Sequence, residues 1–176
     1  MMRRLAPFAV VAAAAVGSYY ATLAAAPFGL MRLAEAKIAS NAPTNHFTHL
    51  PPVRAERQFV VRPSPDLLYS ACPYDLTAGP LEVTAVPVPG RYSSISVFDA
   101  RTDVAFVRND EQMAGRPMRV VLALEGQTVP VGIETVRVRY ATGIILQRVL
   151  LADPAEAASV DPIRSKARCR TLAGQQ

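Results

Sequence analysis

Six polar side chains hold most of the chemistry this sequence can offer: Asp66, Tyr69, Tyr74, Asp75, Asp99 and Asp103. Two carboxylates held close together can move a proton or hold a cation. Asp99 and Asp103 flank Ala100-Arg101-Thr102, and Asn109-Asp110-Glu111 follow soon after. Asp66, Tyr69, Tyr74 and Asp75 fall within one short stretch, where phenol hydroxyls facing carboxylates can line a cleft. The same residue types also serve turns, because Asp and Asn side chains bond their own backbone. The two histidines, His46 and His49, have a spacing that would place them on one helix face, as metal ligands often are. They lie instead in a proline-bounded stretch with no carboxylate or cysteine at matching spacing. No metal and no cofactor is expected. A Ser-His-Asp triad lacks a Gly-x-Ser-x-Gly elbow to present its nucleophile. Ser93-Ser94-Ile95-Ser96 reads as ordinary strand alternation, and no catalytic residue is assigned.

The elements that would position these groups are mostly strands. Short apolar or alternating runs occur at 58–62, 67–76, 81–85, 92–98, 104–107, 119–124, 135–140 and 144–150. Pro73 interrupts the second, which predicts a bend, since proline is confined to edges, strand starts and bulges. Val88-Pro89-Gly90-Arg91 has the chemistry of a type II turn. It predicts a hairpin between 81–85 and 92–98. Val136, Val138 and Tyr140 alternate with Arg137 and Arg139, so one face is apolar and the other wet. Ala141-Thr142-Gly143 then turns into the next strand. Asp153-Pro154 is a helix start, with a capping aspartate and a proline at the first helical position. Asp161-Pro162 repeats that signal, so the helix restarts or kinks. The basic run Arg164, Lys166, Arg168 and Arg170 is expected on a solvated helix face. The fold class that emerges is mainly β, a β-sandwich or incomplete barrel with a C-terminal helix.

Ahead of these strands lies an uncharged run, Leu5–Met31, which follows Arg3 and Arg4. About 20 apolar residues span a bilayer, and the run exceeds that. A secretory signal has an apolar stretch of only about 7–15 residues before a small-x-small cleavage site. Such sites occur at Ala24-Ala25-Ala26 and Ala34-Glu35-Ala36, but the length favours an uncleaved signal anchor. Arg3 and Arg4 then stay cytoplasmic, and the rest of the chain lies outside. In a bacterium this means the inner membrane, with the C-terminal domain in the periplasm. The expected organisation is a cytoplasmic stub 1–4, a transmembrane anchor 5–31, an extension and linker 32–56, and a β-rich domain 57–176.

The overall charge of +5 is partly a property of the membrane end. Without Arg3, Arg4 and Arg32, the 19 basic residues become 16 against 14 acidic ones. That balance removes the electrostatic argument for nucleic-acid binding. Two cysteines are present, Cys72 and Cys169. An exported domain permits their pairing, which would tie the end of the chain to its early strands. Two buried thiols are the alternative.

A longer pattern runs through the same residues. It comprises Asp66 with Leu68-Tyr69-Ser70, then Tyr74-Asp75-Leu76 with Gly79-Pro80, then Tyr92-Ser93-Ser94-Ile95-Ser96-Val97-Phe98-Asp99 leading to Thr102-Asp103. It resembles the domain-of-unknown-function family 1254 over roughly residues 57–125. The resemblance implies a β-sandwich-like envelope protein with one N-terminal membrane helix. It also implies a possible protein partner from the related unknown-function family 1214, which larger relatives carry in the same chain. It supplies no catalytic set. The function expected is a membrane-anchored periplasmic module of unknown biochemical role, protein-binding or envelope-associated. A hydrolase-like subunit or small-ligand binder using the carboxylate/tyrosine cleft is the alternative.

Overall fold

The computed structural model describes residues 2–40, 43–53 and 63–172. The expected strand at 58–62 lies outside them. One helix, α1 (Met2–Ala39), precedes nine strands. These are β1 (Thr48–His49), β2 (Leu67–Asp75), β3 (Leu81–Ala85), β4 (Ser93–Asp99), β5 (Val104–Asn109), β6 (Met118–Leu124), β7 (Glu134–Val138), β8 (Thr142–Leu150) and β9 (Arg168–Thr171). A short helix, α2 (Asp110–Met113), follows β5, and α3 (Ala157–Arg164) follows a single 3-10 turn after β8. The strands form two sheets, ordered β1-β2-β8-β4-β5 and β7-β6-β3-β9. Their facing apolar side chains make the core, with Cys72, Ile95, Val97 and Ile145 from the first sheet against Leu81, Val83, Val120 and Leu122 from the second. The fold is a mainly β sandwich without a closed barrel.

Two expected local connections prove to be crossings between sheets. The turn at Val88–Arg91 forms, with the Arg91 amide donating to the Val88 carbonyl at 3.2 Å and Gly90 at φ 68°. Yet β3 and β4 lie in different sheets, so 81–85 and 92–98 do not make a hairpin. A turn chemistry sets only the local reversal; burial of apolar sides on both strands sends each to its own layer. β7 and β8 are likewise split between the sheets. β7 instead pairs in parallel with β6.

Pro73 sits inside β2 without costing a ladder bond. Its carbonyl accepts from the Asn45 amide at 2.8 Å, on the side away from β8. The missing N–H therefore points to the edge that two-residue β1 leaves open, where proline is tolerated.

The basic run is also placed differently from expectation. Arg164 ends α3 and is buried, while Arg168 and Arg170 lie on β9. Arg164 donates to the carbonyls of Leu50 at 3.0 Å and Tyr69, and pairs with Asp161. It thus fastens the extended segment before β2 to α3. Asp153 caps the preceding turn, accepting from the Ala155 amide at 2.7 Å, and Pro162 lies within α3 rather than ending it.

The disulfide forms. Cys72 on β2 and Cys169 on β9 join the two sheets across the core, with Cα atoms 6.8 Å apart and a sequence separation of 97. For a loop of that length the chain-entropy account gives about 4.7 kcal/mol.

Helix α1 has two parts. Every described side chain from Phe8 to Ala26 is exposed. That stretch is about 28 Å long at 1.5 Å per residue, close to the thickness of bilayer hydrocarbon. From there Phe28, Met31, Glu35 and Ile38 form a stripe at three- and four-residue spacing that is covered by the domain. Met31 packs with Ala71 and Ile144 on the outer face of the first sheet, joined by Ile38, Phe98 and Leu146. Phe28 meets Tyr140 edge-on, with ring centroids 5.5 Å apart. The apolar segment is long enough to cross a membrane.

Candidate functional site

The six cleft residues do not converge on one point. Asp66 immediately precedes β2 and Tyr69 is near its start, whereas Tyr74 and Asp75 end it. At 3.3 Å per residue, Asp66 and Asp75 are about 30 Å apart along the chain, and Tyr69 and Tyr74 about 16 Å. At the first end the Tyr69 hydroxyl accepts from the Ser64 amide at 3.0 Å, and the Asp66 carbonyl accepts from the Leu151 amide at 2.8 Å. At the other end Asn45 clamps Asp75 from two sides: its Oδ1 accepts from the Asp75 amide and its Nδ2 donates to the Asp75 carbonyl. The Asp75 Oδ1 accepts from the Thr77 amide at 2.8 Å.

Tyr74 and Asp99 are brought near one another. Both register with Gly143, from β2 on one side and β4 on the other. The glycine is required there. A Cβ on Gly143 would fall against the Phe98 carbonyl and lie 2.7 Å from the Tyr74 hydroxyl. Burial pushes the Tyr74 phenol well above its ordinary value, with nearby Asp99 and Glu35 adding to it. Such a phenol stays neutral and is a poor proton donor at neutral pH. Its hydroxyl is buried and has no hydrogen-bond partner among the described residues.

Asp99 is buried and committed to a turn. Its Oδ1 accepts from the amides of Arg101 at 2.8 Å and Asp103 at 3.1 Å. The same turn holds Thr102 at φ 68°. Asp103 faces solvent and reaches Arg101 only at 3.8 Å. Asn109 caps α2 in a reciprocal box with Gln112. His46 is on the segment leading into β1, and His49 is the last residue of that strand. His49 bonds Ser70 Oγ at 2.9 Å and stacks on Phe47. Burial and the Arg164 charge hold its imidazole below the ordinary value. No group of three or more metal-ligating residues occurs among the described residues.

Two surface features had no clear signal in the sequence. The first is the outer edge of β5, which pairs only with β4 among the described residues. Val104 and Val107 are 57% and 46% exposed there. Arg108 holds the strand to the second sheet through both oxygens of Glu134, at 2.7 Å each. The second feature is Glu82. Alternation places it on the wet face of β3, yet its side chain is only 5% exposed, because arginines from β6 and β9 close over it.

The family described as a protein of unknown function (DUF1254) matches residues 44–171. The chain belongs to this family. The match begins at the segment that carries Asn45 and ends on β9, so it takes in both sheets and the disulfide. Among solved structures, the VPA0106 protein from Vibrio parahaemolyticus is similar at a TM-score of 0.62 and 19% identity. That likeness covers 84% of this chain and 37% of that one. A putative uncharacterized protein from Burkholderia cenocepacia is similar at a TM-score of 0.51 and 17% identity, over 84% of this chain and 41% of that one. At these identities the likeness concerns the fold alone. This chain therefore spans about two fifths of the length of these structural relatives. No curated protein matches it.

Proposed function

We propose that this family member is a bitopic inner-membrane protein whose β-sandwich stands in the periplasm and docks a protein partner along the free edge of β5. The observation that carries this reading is the edge itself. Backbone groups on its open side have no strand partner among the described residues, and two exposed valines flank them. Soluble proteins usually blunt such edges, and an added strand is a common way for a partner to bind. The longer structural relatives are consistent with a second unit beside this one. A protein of the unknown-function family 1214 is the candidate for that unit.

Residues 8–26 serve as the uncleaved anchor, and Arg3 and Arg4 hold the N-terminus in the cytoplasm. Cleavage after Ala36 would remove Phe28 and Met31, which pack on the sheet. The Cys72–Cys169 bond suits an oxidising compartment. A hydrolase-like role has less behind it, because Tyr74 and Asp99 are sealed in the sandwich and Asp66 and Tyr69 lie at its far end.

Photocrosslinking in whole cells tests the docking. A photoreactive residue at Val104 or Val107 is expected to trap one discrete partner, and the same residue at Glu111 is expected to trap none. Equal trapping at all three, or none at either valine, sinks the β5 interface. Protease added to spheroplasts is expected to remove the sandwich while sparing it in intact cells. Protection in both would overturn the periplasmic placement.

A further inference from the structure

The outer face of the four-stranded sheet carries a concavity of about 500 Å³ lined by Glu82, Thr84, Arg119, Arg168 and Arg170. The geometry points to an oxyanion site here, built for a phosphate group. Glu82 forms its floor. One carboxylate oxygen accepts from Arg119 at 2.6 Å and the other from Arg170 Nε at 2.8 Å. Those hydrogen bonds outweigh the effect of burial and hold the Glu82 carboxyl below its ordinary value. Glu82 thus stays charged and fixes two guanidiniums at once.

The arginines retain donors for a ligand. Arg170 uses Nε on Glu82, and both of its Nη groups are without a protein partner among the described residues. Arg119 and Arg170 remain 57% and 67% exposed while bonded to the buried carboxylate. Arg168 donates only to the carbonyls of Ser165 and Ala167, so no carboxylate matches its charge among the described residues. Three guanidiniums against one carboxylate leave an excess of two positive charges around one concavity. That excess matches a phosphate dianion, and guanidinium forks bind phosphate oxygens in pairs. The Thr84 hydroxyl adds a neutral donor to the lining. Glu82 is a positioning residue in this arrangement. Its two carboxylate oxygens are taken up by Arg119 and Arg170, and it sets the direction in which they present their remaining N–H groups.

Free phosphate and the phosphodiester of an anionic phospholipid headgroup both present paired anionic oxygens to guanidinium forks, although only the former reaches two negative charges. The experiment uses the full chain in a neutral detergent, titrated calorimetrically with inorganic phosphate. Saturable binding is expected, weakened about tenfold or more in Arg168→Gln/Arg170→Gln, with exposed Arg116→Gln unchanged. Glu82→Gln raises the local positive charge, so a diffuse field would bind phosphate more tightly. A site oriented by Glu82 binds it more weakly, which is the result expected. Repeating the titration in nanodiscs separates the sources. Loss of phosphate binding in phosphatidylglycerol discs but not in phosphatidylcholine discs identifies the headgroup as ligand. Retention in both identifies free phosphate. Absence of saturable binding by the wild-type chain, binding unchanged in the double variant, or tighter binding by Glu82→Gln overturns the proposal. Circular dichroism melts on each variant separate a lost site from a lost fold.

Discussion

The two outer faces of the sandwich solve the same problem in opposite ways. On the five-stranded sheet, Ala71 and Ile144 are apolar, and α1 covers them with Met31 and Ile38. On the four-stranded sheet no helix of the described residues lies over Glu82, and arginine side chains from neighbouring strands close over it instead. The first face excludes water by burying carbon. The second covers a carboxylate with long stems whose charged heads stay wet, as arginine readily does. A face covered by apolar packing is finished as a surface. A face covered by exposed guanidiniums keeps unused donors and can still bind.

The largest expected effect comes from cutting what joins the two faces. Cys72→Ala/Cys169→Ala is expected to lose about 4–5 kcal/mol, read as a lowered thermal midpoint of the full chain. Both sheets are expected to lose hydrogen-exchange protection together. Loss confined to β9 would mean that the sheets are less coupled than their shared core implies.

Next comes the covered face. Met31→Asp is expected to release the second part of α1 from the sheet, costing about 2–3 kcal/mol for the lost burial. Trypsin would then cut at Arg32 and Lys37 while residues 8–26 stay in the membrane fraction. Unchanged resistance at those two sites would show that the docking does not depend on Met31.

The charged face gives a smaller effect with a pH signature. Glu82→Gln is expected to cost about 1–2 kcal/mol, because its partners are exposed and screened. The folded carboxyl is held below the unfolded value of 4.5. Its contribution is therefore complete above pH 4.5 and is lost as pH falls toward the folded value. Urea midpoints measured across that range should fall less steeply for the variant than for the wild type. Parallel curves would remove Glu82 from the acid response.

The smallest effect is expected at Tyr74→Phe, which deletes a buried hydroxyl with no hydrogen-bond partner among the described residues. The change should lie within about 1 kcal/mol of zero and can be stabilising. A larger loss in the denaturant midpoint would mean that the hydroxyl is bonded after all.

How much of this was legible in the sequence follows from the range of each signal. Period-two alternation located β3, and continuous apolar runs located β6 and β8, because both signals are written in adjacent residues. The assignment of strands to sheets was not legible. Val88–Arg91 has the chemistry of a turn whether its strands pair or part, and only the distant partners of β3 and β4 decide. β1 has two residues and no pattern of its own. The run Arg164, Lys166, Arg168, Arg170 did carry a usable signal. Its spacing of two belongs to a strand, with Ala167 and Cys169 facing inward, whereas a helix face repeats at three and four. Arg164 stands apart, buried at the end of α3, and nothing local marks it. The polar cluster around Asp99 was ambiguous for a plain reason: a turn-forming aspartate and a catalytic one look alike in sequence. Its bonds to the Arg101 and Asp103 amides give it a turn-holding role here.

Helix α1 runs unbroken from Met2 to Ala39, with its second part seated on a sheet. No loop separates its two parts, which meet at Pro27 and Gly29 within the helix. With residues 8–26 in a bilayer, the sandwich would take on the tilt and rotation of the membrane segment. The free edge of β5 and the arginine-lined hollow would then each keep a fixed bearing and a fixed height above the lipid. Whatever meets them would have to arrive at that height. The protein would behave as a post with labelled sides, and diffusion in the membrane plane would do the searching that a flexible tether does elsewhere.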